Sequence, residues 1–211
     1  MTNKLSEIEE LSISSTNPSD SITRLLELSF DEDEEVRYRA IEAFENFAVT
    51  DNILERVRCL LNDCDELVRV QAVELLGYWR DSSSCELIYK SLNDKSSLVR
   101  SSAIISLARA CGKSYLSEMR RLAAVGDCAE QLSATVALYH LNEDTSINDI
   151  TKYFFHNSYH IRCAAANLIS EFVLDKDISK LVDCLEKAMI SEKSNAVLST
   201  YKRIIGSFEN K

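Results

Sequence analysis

A short pattern, Val-Arg-x-x-Ala, returns along the chain at a regular spacing. It stands in EEVRYRAIEAF at Val36, Arg37 and Ala40, in ELVRVQAVELL at Val68, Arg69 and Ala72, and in SLVRSSAIISL at Val99, Arg100 and Ala103, so that successive copies lie 32 and 31 residues apart. Projected forward at that period, the alanine row continues to Ala134, Ala165 and Ala196. Ile161 and Arg162 restore the leading pair in the fifth copy, whereas Glu130-Gln131 and Glu192-Lys193 replace it in the fourth and sixth. A period of this length is what stacked supersecondary units produce, each too small to bury its apolar face alone.

Two further rows fix the local geometry. Eight residues after the Val position stand Phe44, Leu76, Leu107, Leu138, Ile169 and Thr200, and eleven after it stand Phe47, Trp79, Ala110, Leu141, Phe172 and Arg203. Offsets of 0, 4, 8 and 11 share one face of an α-helix. The alanine row lets two helices approach closely, and the polar end of both rows (Thr200, Arg203) is what a terminal capping repeat is expected to show. A second helical stretch precedes each copy: SITRLLELSF, NILERVRCLL, CELIYKSL, YLSEMRRLAAV, INDITKYFF and ISKLVDCLEKAM. Each repeat is therefore a pair of antiparallel helices, A then B. The A–B turns carry aspartate (Asp31, Asp33, Asp63, Asp65, Asp94, Asp127), a good N-cap that also suits the positive end of the helix dipole. The chain holds only 4 glycines and 1 proline, which disfavours β-sandwiches, P-loop enzymes and glycine-rich dinucleotide folds. Turns closed by Asp and Ser caps account for that scarcity.

The Asp-x-x-Val-Arg-x-x-Ala pattern on the second helix of each pair resembles the short HEAT repeats common in bacteria. The resemblance covers about residues 20–205 in six copies. It implies an all-α fold, a right-handed α-α superhelix or HEAT-like solenoid of about six helix pairs. The expected organisation is a capping segment and linker at 1–17, with the helix LSEIEEL in it, then a repeat domain at 18–211 with units near 20–49, 50–80, 81–112, 113–143, 144–174 and 175–208. The resemblance also implies a ladder in which the helix-B arginine pairs with the turn aspartate of a neighbouring unit. The Arg row reads Arg37, Arg69, Arg100, Gln131, Arg162, Lys193, and the acid row three residues before Val reads Asp33, Asp65, Ser96, Asp127, Ser158, Met189. The ladder is expected to be regular early and to degrade after the third unit.

In such arrays the B helices line the concave surface. The face opposite the buried seam then offers Glu42, Glu45, Glu74, Asp81, Glu143 and Glu171 against Arg39 and Arg109, six carboxylates to two guanidiniums, a net of −4. Tyr38, Tyr78, Tyr139, His140 and Asn167 fall on the same face. Tyrosine among carboxylates is a composition suited to a protein-binding patch. Tyr78, Tyr139 and His140 are the expected anchors, Glu42, Glu74 and Glu171 the complementary charge, with Asp81 and Glu143 at the rim. The run DEDEE at Asp31–Glu35 reads first as a helix start stocked with carboxylates.

Other chemistries find little support. His156, His160 and Cys163 have the spacing of one helical face, as zinc ligands can, but Asn157-Ser158 marks a turn inside the set. No Gly-x-Ser-x-Gly elbow occurs, and nothing marks an activated thiolate. No catalytic residue, metal or cofactor is assigned. Seven cysteines, odd in number, widely spaced and without CxxC, fit reduced thiols better than a disulfide framework. No apolar run of about 18 residues is present, and MTNKLSEIEELSISS lacks the apolar core of a signal peptide, so the expectation is a cytoplasmic protein without a membrane span.

The net charge of −10 opposes a phosphate-backbone binder and favours a basic protein partner. HEAT-like alkylpurine DNA glycosylases need a basic groove, which this chain lacks. The reading is a non-catalytic protein-binding module, monomeric when free. Most concretely it is an immunity or inhibitor-type protein that masks a basic toxin or nuclease with its acidic concave face. A phycobilin-lyase-like chromophore-handling protein and an assembly adaptor for another enzyme are the alternatives.

Overall fold

The computed structural model describes residues 2–13 and 18–209, and among these the regular structure is helical, without strands. The linker expected before residue 18 falls on residues 14–17, outside the described residues. The chain is an all-α solenoid of helix pairs, divided into two compact units, Met1–Gly112 and Lys113–Lys211.

The N-terminal unit holds α1 (Thr2–Ile13) followed by three pairs: α2 (Pro18–Leu28) with α3 (Glu34–Ala43), α4 (Asp51–Leu60) with α5 (Glu66–Tyr78), and α6 (Cys85–Lys90) with α7 (Ser97–Cys111). The C-terminal unit holds α8 (Leu116–Val125) with α9 (Cys128–His140), α10 (Ile147–Thr151) with α11 (Tyr159–Phe172), and α12 (Ile178–Ser191) with α13 (Asn195–Glu209). The repeat rows form the cores. Val36, Ala40, Phe44, Val68, Ala72, Leu76, Val99, Ala103 and Leu107 are all buried, against Leu25, Ile53, Val57 and Ile88 of the A helices. Each large member contributes about 1.5–3 kcal/mol relative to exposure. α5 and α7 approach closely, since a Cβ on Gly77 would lie 2.6 Å from Ser106 Cβ. Ser106 Oγ and Ser101 Oγ are buried there without a hydrogen-bond partner among the described residues.

Turn chemistry explains where the helices begin and end. Asp33, Asp65 and Asp127 cap α3, α5 and α9, and Asp127 forms a reciprocal box with Glu130. That box accounts for a carboxylate in the Val row: Glu130 is buried and its Oε2 accepts the Asp127 N–H at 2.7 Å. Arg80 and Asn142 sit at φ 55°, each two residues past the end of a B helix. There the Asp81 and Glu143 amides turn back to Leu76 and Leu138 carbonyls at 3.2 and 3.0 Å. These are glycine-type terminations made without glycine.

The arginine row forms a ladder, but its acid partners lie five residues before the Val position and not three. Arg37 binds Asp63 (Nη2–Oδ1, 2.7 Å) and Arg69 binds Asp94, while Asp33 and Asp65 are spent on capping. Each guanidinium also holds its own turn. Nη1 of Arg37, Arg69, Arg100 and Arg162 donates to the carbonyls six and five residues earlier, at 2.7–3.3 Å. The ladder does not simply fade. Gln131 reaches only the Gly126 carbonyl of its own turn (2.9 Å), yet Arg162 pairs with Glu192 through Nε and Nη2 at 2.6 and 2.8 Å. At the other end Lys4 of α1 donates to Asp31 at 2.6 Å. Asp31 occupies the position of Asp63 and Asp94, so α1 stands in for a preceding B helix.

Two expectations need correction. The sixth copy is out of register. α13 begins at Asn195, and Val197, Tyr201 and Ile204 are fully buried, whereas Ala196 and Arg203 are exposed. Glu192 is the turn acid of that repeat, so α12 is extended relative to the earlier A helices and the period stretches there. In this register Thr200 and Arg203 lie outside the buried row. The cysteines are not all thiols: Cys85 and Cys111 form a disulfide, with Cα atoms 6.0 Å apart. A helix pair runs out and back, which brings the start of α6 beside the end of α7 across 26 residues of sequence.

Candidate protein-binding face

In the N-terminal unit α1 and α3 enclose a cleft of about 330 Å³. Leu5, Ile8 and Ala43 form its apolar part, and Glu9, Glu35, Glu42 and Glu45 line it with Arg39. Arg39 donates to Glu35 Oε1 at 2.8 Å and Glu42 Oε2 at 2.9 Å, one cation shared by two acids. Glu9 has no ion pair among the described residues. Burial raises the Glu45 carboxyl above its ordinary range against the lowering bond from Gln71 (3.3 Å), and the Glu42 charge adds to the rise. The Tyr38 hydroxyl is also raised, first by burial and then by Glu42. The cleft therefore carries four carboxylates and one guanidinium, with a potential that favours a cation.

The other expected residues of this unit separate into different roles. Glu74 is exposed, and its Oε1 accepts Ser102 Oγ at 2.7 Å. Tyr78, 60% exposed, is a free-standing aromatic of the kind that anchors partners. Arg109 is half-buried in the last turn of α7. Asp81 is a cap and not a rim charge. It begins the short turn Ser82–Ser84, accepts Ser83 and Ser84, and meets Arg58 at 3.0 Å. Burial alone would raise Asp81, but its bonds to Ser83, Ser84 and Arg58 hold it below the usual carboxylate range.

In the C-terminal unit the sequence reading needs more revision. Tyr139 is not an exposed anchor. α9 is buried without interruption from Leu132 to Tyr139, and Tyr139 keeps 4% of its surface. Its hydroxyl donates to Asp177 at 2.7 Å and accepts the Leu174 amide at 3.2 Å. Burial, then the Asp177 bond, pushes Tyr139 up to about 12. His140 is half-buried, with its ring against the edge of Phe172 at 4.8 Å. Glu143 accepts Lys113 at 2.7 Å and Arg120 at 2.5 Å, and the Lys113 bond, against burial, holds it low. Asn167 accepts Arg203 at 2.6 Å, and Glu171 is exposed. Tyr139 and Glu143 line one depression of about 310 Å³, with Lys176 and Lys180 also on its wall.

His156, His160 and Cys163 do not converge. His156 Nδ1 accepts the Ser158 amide at 3.1 Å, in the place an aspartate takes in earlier turns. His160 stacks on Tyr159 at 3.9 Å, and Cys163 faces Thr200. No group of three such ligands is assembled among the described residues. No helix among them is long and apolar enough to cross a membrane. Sequence reasoning missed the two buried polar donors behind the acidic face, Gln71 and Ser102. Polar residues at otherwise apolar B-helix positions are the signal that marks them.

Comparison with known proteins bears on the fold. A family model for HEAT repeats matches residues 53–138. The structure is similar to the complex of CpcE and CpcF of phycocyanin lyase from Nostoc sp. PCC7120, with TM-score 0.61 and 13% identity over 90% of this chain and 82% of that one. An archaeal HEAT-like repeats protein from Thermococcus onnurineus NA1 aligns with TM-score 0.40 and 16% identity over 98% and 97% of the two chains. No curated protein matches the sequence at a significant level.

Proposed function

The chain is a HEAT-repeat protein, matched as such over residues 53–138, and we propose that it is a non-catalytic module that binds a basic protein through the acidic face of its N-terminal unit. HEAT repeats are protein-interaction modules that present extended surfaces. The observation that carries the reading is the α1–α3 cleft, where four carboxylates and one arginine, paired with two of them, surround an apolar floor. Glu74 and the exposed Tyr78 extend that chemistry along α5. The partner is a protein with a Lys/Arg cluster and an aliphatic or aromatic contact beside it. A toxin or nuclease neutralised by masking is the most concrete case, because such enzymes present basic surfaces to nucleic acid. Asp81 supports the N-terminal unit from within, as the cap of the Ser82–Ser84 turn. The likeness to the CpcE–CpcF complex is one of fold, and its lyase role is not carried over.

The test is affinity capture from the native host with identification of the bound protein, followed by binding measurements at graded salt. A basic stoichiometric partner, with affinity that falls as salt rises and collapses in a Glu42→Lys, Glu74→Lys variant, is the expected result. Salt-independent binding that survives both substitutions would overturn the acidic face. Capture of several subunits of one enzyme would favour an assembly adaptor instead.

A further inference from the structure

A second surface in the N-terminal unit has the opposite chemical preference. The A helices α2, α4 and α6 border an open groove of about 780 Å³, whose apolar wall is Leu26, Phe30 and Leu87. Phe30 is 67% exposed, whereas Phe44 and Phe154 are fully buried. Above its ring lies the guanidinium of Arg56, 3.4 Å from the centroid. Arg56 Nε donates to Ser29 Oγ at 2.8 Å, and Nη2 donates to the Ser29 carbonyl at 2.5 Å. Those neutral acceptors and the ring fix the guanidinium plane.

Charge is what distinguishes this site. The other arginine in the groove, Arg58, is matched to Asp81, Ser83 and Ser84. Arg56 has no carboxylate partner among the described residues, and its Nη1 makes no hydrogen bond there. Burial depresses its basicity, against weak support from Cys59 and Asp63. A partly buried guanidinium held flat against an aromatic ring, with one edge unspent, is a preformed seat for a carboxylate. Glu55, exposed on the same groove, disfavours further acids around that one.

We propose that the α2–α4–α6 groove binds an acidic-aliphatic segment of a protein partner, one carboxylate on Arg56 and its apolar side chains against Phe30, Leu26 and Leu87. This site is independent of the acidic face. Its partner segment carries the opposite charge, so one chain has the means to hold two different proteins, or two unlike parts of one.

Cys59 supplies the readout, because it is an exposed free thiol in the groove, whereas the exposed Cys64 and Cys128 are not among its lining residues. The probe is a capped peptide of alternating leucine and serine around one central glutamate, with glutamine and lysine versions as controls and acetate as the free carboxylate. Iodoacetamide labelling of the full chain is followed at each cysteine by mass spectrometry. The glutamate peptide is expected to slow labelling of Cys59 and to leave Cys64 and Cys128 unchanged. Arg56→Met and Phe30→Ser are each expected to weaken that protection at least about tenfold. Should Arg56→Met fail to fold, Arg56→Lys keeps the charge but loses the planar fork, and its weaker protection carries the same test. Equal protection by the glutamate and glutamine peptides, unchanged protection in the Arg56 variants, or protection by acetate alone would each overturn the proposal.

Discussion

Arg69 reaches from α5 into the turn of the next repeat and holds Asp94 by two parallel bonds, Nε to Oδ2 at 2.8 Å and Nη2 to Oδ1 at 2.9 Å. Both side chains are nearly buried, at 5% and 14% exposure, and Arg69 simultaneously ties down the carbonyls of its own turn. Removing either partner strands a buried charge. Arg69→Leu or Asp94→Ala is expected to cost about 3–5 kcal/mol, and the double variant less than the sum of the two. Denaturant unfolding in a double-mutant cycle measures both.

The same rungs make stability depend on acid. Burial alone would raise Asp94 and Asp63, but the bonds from Arg69 and Arg37 and from turn amides hold both below the usual carboxylate range. Glu192 is lowered chiefly by Arg162. A carboxyl depressed by folding stabilises the fold above its unfolded value, about 4 for these residues, and the contribution disappears as pH falls through the folded value. Thermal midpoints are expected to hold steady from neutral pH to about pH 5 and to fall steeply below about pH 4. Asp94→Asn should flatten that fall and lower the neutral plateau.

The α5–α7 crossing has no room to spare. Gly77→Ala would place its Cβ 2.7 Å from the Ser106 Cα, so the helices must separate, at a cost of about 1–3 kcal/mol. Ser106→Ala acts in the opposite direction, since it removes a buried hydroxyl that has no partner among the described residues, and should be neutral or stabilising by up to about 1 kcal/mol. Opposite signs from two residues in contact, read by chemical denaturation, would establish the crossing. Destabilisation by both would refute it.

Arg80 holds a left-handed conformation, φ 55°, that a side chain disfavours. Arg80→Gly is expected to stabilise by about 0.5–1 kcal/mol, seen as a rise of a few degrees in thermal midpoint.

The Cys85–Cys111 disulfide closes a loop with sequence separation 26. A strong reductant, or the Cys85→Ser, Cys111→Ser double variant, is expected to lower stability by about 3 kcal/mol. Equal melting curves with and without reductant, alongside mass spectra that confirm the bond is cut, would count against the linkage.

The rows that carry the fold were legible because packing imposes them. Val36, Val68 and Val99 must face the seam, and three copies suffice to read the period. Two substitutions hid the later register. Glu130 takes a Val position because a capping box neutralises the expense of burying it. In α13 the small row position is filled by Tyr201, which donates to the Phe154 carbonyl at 3.3 Å, so Ala196 matched the period without occupying the site. The acidic cleft was half legible. Glu42 and Glu45 follow from helical phase, but Glu9 and Glu35 join them only once α1 lies on α3. Phase alone could not reveal that Tyr139 is buried, because that depends on the Asp177 turn, 38 residues away in sequence.

A helical array can be regarded as a line of coupled links, each held by its own bonds and by those to its neighbours. Gln131 leaves one coupling without its guanidinium rung, between α9 and the turn before α11. Opening that starts at α13 therefore meets a link there that lacks one of the ties the earlier repeats have. The solenoid thus carries a point of give set by a single amide in place of a guanidinium.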